Sequence, residues 1–124
     1  MTEKKRGLAS EVLADVIASG MQEKKGLSIT QLDLRNVPNA FCDFFMICTA
    51  NSDKQIEAIA DEIEKEVFLG INENPISKEG QAQNGWLLLD YFNVVVHIFL
   101  NDKREKFGLE ELWGDAKIKV FENN

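Results

Sequence analysis

The sequence predicts an α/β or α+β fold, in which helices pack on a mixed β-sheet. Residues 86–100 form the most apolar part of the chain and consist mainly of residues that favour strands. Residues 8–21 and 56–67 instead carry apolar side chains at helical spacing. With 124 residues, 44% of them apolar and 28% charged, the chain has the composition of one soluble domain with its own core.

The first predicted helix spans residues 8–21, with Ser10 expected away from its apolar stripe. Two lysines and Gly26 follow and suit a helix end, because cations favour the C-terminal dipole and glycine favours a left-handed cap. Three cations precede the helix, which leaves a membrane-surface helix as an alternative, but the strand that follows favours packing on a core. The stripe consists of Leu8, Val12, Leu13, Val16, Ile17 and Met21.

Two strands are predicted next. In residues 27–34 the apolar positions change phase, which indicates a bulge or a strand with two apolar faces. Residues 35–40 have the composition of a loop. Residues 44–48 are apolar on both faces, as in a central strand that is covered on both sides. Cys42 and Cys48 are expected to be free, buried thiols rather than a disulfide or a metal site.

The second helix begins after Ser52. Ser52 and Gln55 have the spacing of a capping box, and Asp53 adds a negative charge to the first turn. Its outer face is acidic, a pattern that more often marks a solvated surface than a binding site. Its predicted buried stripe consists of Ile56, Ile59, Ala60, Ile63 and Val67.

A β-hairpin follows a long connection that holds a short strand near residues 75–78. A two-residue turn at residues 92–93 pairs Tyr91 with Val94 and fixes which side chains share a face. One face is a plain core face, and the other mixes two aromatic residues with an acid and the single histidine. The first carries Leu87, Leu89, Tyr91, Val94, Val96, Ile98 and Leu100; the second carries Trp86, Leu88, Asp90, Val95, His97 and Phe99.

The C-terminal part is predicted to begin with two short helices. The first spans residues 102–107 with Asp102 as its N-cap, and the second spans residues 109–114. The predicted domain covers residues 1–116. Residues 117–124 form a C-terminal tail, either as a short strand or as a disordered segment.

The net charge of −7 argues against direct binding of nucleic acid, for which a basic surface is the usual sign. The same charge permits a basic protein partner, because complementary charge speeds docking. No apolar run approaches the roughly 20 residues of a membrane-spanning helix, and no signal-type segment follows the basic start. We expect a cytoplasmic protein that does not enter a membrane.

Asp33, Asp43 and Asp90 lie at or near strands, where carboxylates could hold Mg²⁺ for nucleotidyl transfer. Against this, the chain has no Gly-rich phosphate loop and no Gly-Ser pair before a spaced acid couple. His97 could act as a base, but one histidine on a sheet face is more often a structural or interface residue. We therefore expect no catalytic residue, no metal and no cofactor.

The second face of the hairpin has the composition of an interface anchor, because it combines Trp86 with an acid and a histidine. The alternative is a three-layer domain in which helices cover this face as well. The residues alone leave both open.

Three segments together resemble the ribosomal silencing factor (RsfS/Iojap-related) family. Each motif is short, but their order and spacing are specific, and the match runs from about residue 8 to residue 116. The segments are CDFFMICTANS at 42–52 running into IADE at 59–62; EG at 79–80 followed by WLLLDY at 86–91 and VVVHIF at 94–99; and REKF at 104–107, LE at 109–110 and LWGDA at 112–116.

The resemblance implies a translational repressor without catalytic activity. Proteins of this family bind the large ribosomal subunit through ribosomal protein L-fourteen, block joining of the small subunit and lower translation when nutrients are scarce. Their fold is similar to nucleotidyltransferases without the catalytic signature, and homodimers occur among them. The family's Trp, Asp and His match three positions here. The expected partner-binding residues are Trp86, Leu88, Asp90, Tyr91, His97 and Arg104.

Two positions depart from the family pattern. Relatives often have Gly-Asp in the hairpin turn, where this chain has Phe92-Asn93. A two-residue turn requires positive φ, which phenylalanine resists, so we expect a longer or altered turn on which the assignment of faces depends. Phe107 replaces a tyrosine, which removes a hydroxyl contact.

Overall fold

The computed structural model describes the backbone of residues 3–122 and the side chains of residues 7–122. Six strands and four helices form within this range, together with a 3₁₀ turn at Ala82–Asn84. The elements are α1 (Glu3–Glu23), β1 (Leu27–Asp33), β2 (Phe44–Ala50), α2 (Asp53–Ile71), β3 (Ser77–Gln81), β4 (Trp86–Asp90), β5 (Val94–Leu100), α3 (Asn101–Phe107), α4 (Leu109–Leu112) and β6 (Lys117–Val120).

The strands form one mixed sheet in the order β3-β4-β5-β2-β1-β6. Only the central pair, β2 and β5, is parallel, and the other neighbours are antiparallel. Strand β2 is buried along its whole length, as expected for an apolar run covered on both faces. The predicted fold class and the central position of this strand are confirmed.

Helix α2 covers one face of the sheet with the predicted stripe. All five predicted residues, Ile56, Ile59, Ala60, Ile63 and Val67, are buried. The Ser52 side chain caps the helix by accepting the N–H of Gln55 at 3.1 Å. In return, the Gln55 side-chain oxygen accepts the N–H of Asn51, one residue before the cap.

Helix α1 packs beside α2, but its buried stripe differs from the prediction. Leu8 and Val12 are more than half exposed, whereas Ser10 is fully buried and donates to Asp43 Oδ2 at 2.6 Å. The contact uses small residues: a Cβ on Gly20 would lie 3.0 Å from the Cα of Ile63 in α2. Leu13, Ile17 and Met21 of the predicted stripe are buried, as expected. The buried face also includes small residues, because helices approach closely where side chains are small.

Two predicted caps were also wrong in detail. Lys25, with φ 63°, takes the left-handed position after α1. Gly26 instead allows a close approach, because a Cβ there would lie 3.0 Å from the Met21 carbonyl oxygen and 3.3 Å from Cys48 Sγ. Asp102 lies in the first turn of α3, and Leu100 is the N-cap residue.

The outer strands complete the sheet. The predicted bulge in β1 is present, since the pairing with β2 shifts register between Leu27 and Thr30. Strand β3 begins at Ser77, slightly later than expected. Of the two alternatives for the tail, residues 117–120 form the strand, which pairs with β1. Residues 123–124 of the predicted tail and residues 1–2 lie outside the described range.

The hairpin of β4 and β5 has the predicted register, from Trp86 opposite Phe99 to Asp90 opposite Val95. Its turn keeps two residues and is altered rather than longer. Phe92 has φ 72°, and the N–H of Asn93 donates to the Tyr91 carbonyl at 2.9 Å, as in a γ-turn. The predicted division of side chains between the two faces therefore holds.

Two apolar clusters fill the two sides of the sheet. The larger lies under α1 and α2, and the smaller lies on the opposite side, where α3 and α4 pack. Within residues 3–122, no helix is long and apolar enough to cross a membrane.

Candidate functional site

The second side of the sheet carries a continuous group of rings, here called the aromatic face. Each ring contacts at least one other, with centroids 5.2 to 6.5 Å apart. Strands β2, β4 and β5 contribute four of the rings, and residues outside the sheet contribute three. The aromatic face consists of Phe41, Phe45, Trp86, His97, Phe99, Phe107 and Trp113.

Three of these rings form a buried layer on the two central strands. His97 lies between its neighbours, with its ring nearly parallel to that of Phe99 at 5.6 Å and edge-on to Phe45 at 5.2 Å. All three residues are buried. His97 and Phe99 share one face of β5. The parallel pairing sets Phe45 of β2 opposite Val95, two residues before His97, which brings Phe45 beside the imidazole. The buried layer gives the face a rigid base.

The remaining rings lie nearer the solvent. Phe41 is 66% exposed and Phe107 is 47% exposed, while Trp86 and Trp113 are partly buried. Helices α3 and α4 contain no buried residue, so they cover the sheet only in part. Helices lie on this side, as in the three-layer alternative, yet they leave an apolar surface open.

Trp86 is fixed on three sides. Its indole Nε1 lies 3.4 Å from His97 Nδ1, and its ring lies 5.4 Å from that of Phe107. Below it, Gly80 has φ 86°, and a Cβ there would lie 2.7 Å from the indole Cε3. Glycine at position 80 is required because the indole packs directly on the backbone of β3.

His97 is buried, and this burial lowers its pKa to about 4. The imidazole is therefore neutral near pH 7. Its hydrogen-bonding neighbour is the indole of Trp86, whereas the Asp90 carboxylate accepts the N–H of Phe92 at 2.7 Å. The geometry gives no support to His97 and Asp90 as a catalytic pair.

Leu88 and Asp90 lie on β4, on the same side as Trp86, and both are partly buried. Tyr91 lies on the opposite side, where it is 4% exposed and packs in the larger core cluster. Among the predicted binding residues, Trp86, Leu88 and Asp90 thus share the partly open surface. Tyr91 does not belong to it.

Arg104 braces the short helices against the sheet. Its guanidinium donates to the Ser28 carbonyl at 2.8 Å and to the hydroxyls of Thr49 and Thr30 at 3.0 Å. It also pairs with Glu110 at 2.6 Å, and its side chain is only 12% exposed. This side chain is used within the molecule and contributes little to the open surface.

The three candidate metal-binding acids each have a local contact. Arg35 bonds to Asp33 at 2.8 Å and holds the pKa of that carboxyl below its usual value. Asp43 accepts from Ser10, and Asp90 accepts from the hairpin turn. No group of three or more potential metal ligands occurs in the part of the chain that is described.

Cys42 and Cys48 are buried thiols, as predicted. They lie in different apolar clusters, on opposite sides of the sheet. Burial raises the pKa of the Cys48 thiol to about 12, which keeps it protonated and unreactive near pH 7.

Sequence reasoning did not include Phe41, Phe45, Trp113 and Gly80 in the site. Phe45 belongs to a run that is apolar on both faces, so its strand phase alone could have placed it beside His97. Phe41 and Trp113 lie in a loop and after a four-residue helix, and they meet at 6.4 Å only through the fold. No local pattern marks such a contact.

Comparisons with known proteins place this chain in a family. The family model described as "Ribosomal silencing factor during starvation" matches residues 8–124, and therefore includes β6. The chain is 36% identical over 116 residues to the ribosomal silencing factor RsfS of Halalkalibacterium halodurans, covering 93% of this chain and 97% of that protein. It is 39% identical over 106 residues to RsfS of Bacillus subtilis, covering 83% and 86%.

A solved structure supports the same relationship. The crystal structure of a Bacillus halodurans protein matches with a TM-score of 0.72 at 32% identity, covering 90% of this chain and 98% of that one. The names of the matched relatives describe regulatory factors rather than enzymes. The chain therefore belongs to the ribosomal silencing factor family, whose members are ribosome-associated regulators of translation.

Proposed function

We propose that this protein represses translation under nutrient limitation by binding the large ribosomal subunit through ribosomal protein L-fourteen. The bound protein blocks the small subunit from joining, by steric exclusion and without a chemical step, and it acts in the cytoplasm. The observation that carries the proposal is the aromatic face, an apolar surface left partly open by the short helices α3 and α4.

Trp86 and Leu88 anchor the partner in this proposal. Both are partly buried, so their side chains are already ordered and lose little freedom on binding. Fixed aromatic residues near the centre of an interface contribute most of its free energy. Asp90 lies two residues further along the same strand face and pairs with a lysine or arginine of the partner.

His97 and Arg104 contribute from below the surface. His97 supports the indole of Trp86, and Arg104 holds α3 against β1 and β2. Tyr91 stabilises the opposite side of the hairpin, where it is buried. In this proposal the three residues shape the binding surface, and Trp86, Leu88 and Asp90 contact the partner.

Charge also favours a basic partner over nucleic acid. The chain has a net charge of −7, and Glu57 and Asp61 are exposed along α2. This field repels phosphate backbones and attracts a basic protein surface over several ångströms. It supports contact with a ribosomal protein and little direct contact with ribosomal RNA.

The anchor role is tested with Trp86→Ala in a co-sedimentation assay with large subunits. Removing a central aromatic anchor costs about 2 kcal/mol, so binding should weaken roughly 30-fold. Leu69→Ala is the matched control, because Leu69 is 73% exposed on α2, away from the aromatic face, and should bind like the wild type. Unchanged affinity for the Trp86 variant contradicts the anchor role.

Subunit association tests the mechanism. Purified subunits are mixed with an excess of protein and separated on a sucrose gradient. We expect the wild type to lower the joined fraction and Trp86→Ala to restore it. If subunits join normally in the presence of bound wild-type protein, steric exclusion is wrong.

A homodimer is a second candidate use of the same surface. Phe41, within the aromatic face, is 66% exposed, and Leu112, next to Trp113 in the chain, is 71% exposed. A second copy would bury both. Sedimentation equilibrium over a range of concentrations distinguishes the two. A concentration-independent monomer excludes the dimer, whereas a dimer that Trp86→Ala dissociates places the aromatic face in the dimer interface.

A further inference from the structure

The bond between Trp86 and His97 has a defined direction. The indole Nε1–H can only donate, and His97 Nδ1 lies 3.4 Å away. Nδ1 must therefore be the acceptor, which places the imidazole proton on Nε2. The two ring planes lie within 19° of parallel with centroids 6.5 Å apart, as expected for rings that meet at their edges.

The surroundings of His97 preserve this arrangement. Phe45 and Phe99 pack against the imidazole at 5.2 and 5.6 Å, so the ring has little room to turn. Burial lowers the pKa of His97 to about 4, so the Nδ1 lone pair stays available near pH 7. A protonated imidazole would present a second donor to the indole and break the bond.

The indole itself has few alternative positions. The backbone of Gly80 lies directly against it, and Phe107 packs on it at 5.4 Å. Neither contact is a hydrogen bond to the indole N–H. Among the side chains of residues 7–122, His97 is the one that accepts from the N–H edge.

We propose that His97 is a positioning residue for Trp86, and that by accepting the indole N–H it leaves only the carbon surface of the ring for a partner. This inference rests on the proposed function, since it assumes that Trp86 meets the large subunit. It also says which kind of group on the partner meets the indole. That group is an aliphatic side chain or the flat face of a guanidinium, rather than a hydrogen-bond acceptor.

The bond is tested first in the free protein, by NMR of the Trp86 indole N–H. His97→Leu keeps an apolar side chain of similar volume without an acceptor, and His97→Asn offers Oδ1 close to the place of Nδ1. We expect exchange of this proton with solvent to speed up roughly three- to tenfold in the Leu variant and to slow again in the Asn variant. Equal exchange in wild type and His97→Leu overturns the proposal.

Val96→Ala is the matched control, because Val96 is the adjacent buried residue of β5 and points to the opposite side of the sheet. It should destabilise the core without changing exchange at the indole. If it speeds exchange as much as His97→Leu does, the effect is loss of core packing and the proposal fails. The control and His97→Asn keep the test decisive if His97→Leu does not fold.

Binding to large subunits completes the test as a double-mutant cycle. His97→Leu should weaken binding roughly three- to tenfold alone, and should have no further effect in a Trp86→Phe background, which lacks the N–H. A full effect in both backgrounds overturns the positioning role. If the wild type does not bind large subunits at all, the proposed function fails, while the exchange measurement still decides whether His97 holds the indole.

Discussion

At the scale of single residues, Phe92 is the position where backbone conformation and side chain disagree most. Its φ of 72° lies in the left-handed region, where a bulky side chain costs about 1 to 3 kcal/mol. The side chain is 63% exposed, so it recovers little by burial. The Asp90 carboxylate offsets part of this cost by accepting the Phe92 N–H at 2.7 Å.

Phe92→Gly should therefore raise the free energy of unfolding by about 1 kcal/mol, after the greater chain entropy of glycine is deducted. Urea denaturation measures the change. Asn93→Gly is the control, because Asn93 does not have a positive φ, and it should be neutral or destabilising. Destabilisation by Phe92→Gly would show that the phenylalanine side chain contributes more than the strain costs.

His97 makes stability depend on pH. Its pKa is about 4 in the folded protein and about 6.5 in the unfolded chain, so the unfolded state binds the proton more readily. Stability should be fully present above about pH 6.5 and should fall as the pH is lowered towards 4, by about 3 kcal/mol at most.

The measurement is the difference between wild type and His97→Asn in urea denaturation at pH 5 and pH 7. Subtracting the variant's change in unfolding free energy from that of the wild type removes the contribution of the carboxylates, which both proteins share. The wild type should lose more stability than the variant on acidification. Parallel curves for the two proteins would contradict the lowered pKa.

At the scale of elements, the buried stripe of helix α2 was predicted correctly and that of α1 only in part. The stripe of α2 consists of large apolar residues, and hydrophobic burial marks them from the sequence alone. The contact face of α1 also contains Ser10 and Gly20, which contribute through their small size and one hydrogen bond. Apolar periodicity does not mark such residues, so it found only the large ones.

Gly20 and Gly70 give a matched pair for this argument. Both lie in helices, where Gly→Ala usually gains about 1 kcal/mol. A Cβ at Gly70 meets nothing within 4 Å, whereas one at Gly20 lies 3.0 Å from Ile63 Cα. Gly70→Ala should stabilise the protein, and Gly20→Ala should destabilise it by about 1 to 3 kcal/mol.

Thermal or urea unfolding of the two variants measures both effects. Stabilisation by both substitutions would mean that α1 and α2 can separate slightly at no cost. A loss in both would show that helix propensity does not govern either position.

The hairpin shows what sequence could and could not give at the candidate site. Alternation along β4 and β5 placed Trp86, Leu88 and His97 on one face correctly, since the period of a strand is fixed. The partners of Trp86 in the fold, Gly80 and Phe107, lie on other elements. Their positions follow from the order of strands in the sheet and from the path of α3. Neither can be read from a local sequence pattern.

At the scale of the whole molecule, the acidic charge and the partly open aromatic face point to the same type of partner. In the proposed function, the apolar rings provide affinity, and the net charge of −7 provides long-range attraction to a basic surface. The charge effect could be expected from composition alone. The area of open apolar surface needed the structure, because it depends on how far α3 and α4 extend.

The separate roles of charge and apolar contact in the proposed function predict how salt affects binding to large subunits. Raising salt from about 0.05 M to about 0.3 M should slow association at least severalfold, because it screens the attraction between charges. Dissociation should change much less, since it depends on the close apolar contacts. Stopped-flow or surface-based kinetics separates the two rates, and a salt effect confined to dissociation would contradict long-range steering.

The pairing of β6 with β1 has a consequence for how the protein is made. Synthesis proceeds from the N-terminus, so β1 emerges early and β6 is the last of the described strands to appear. Until then the outer edge of β1 offers unpaired backbone groups to other chains. The nascent protein therefore keeps a strand edge open to aggregation until β6 has left the ribosome.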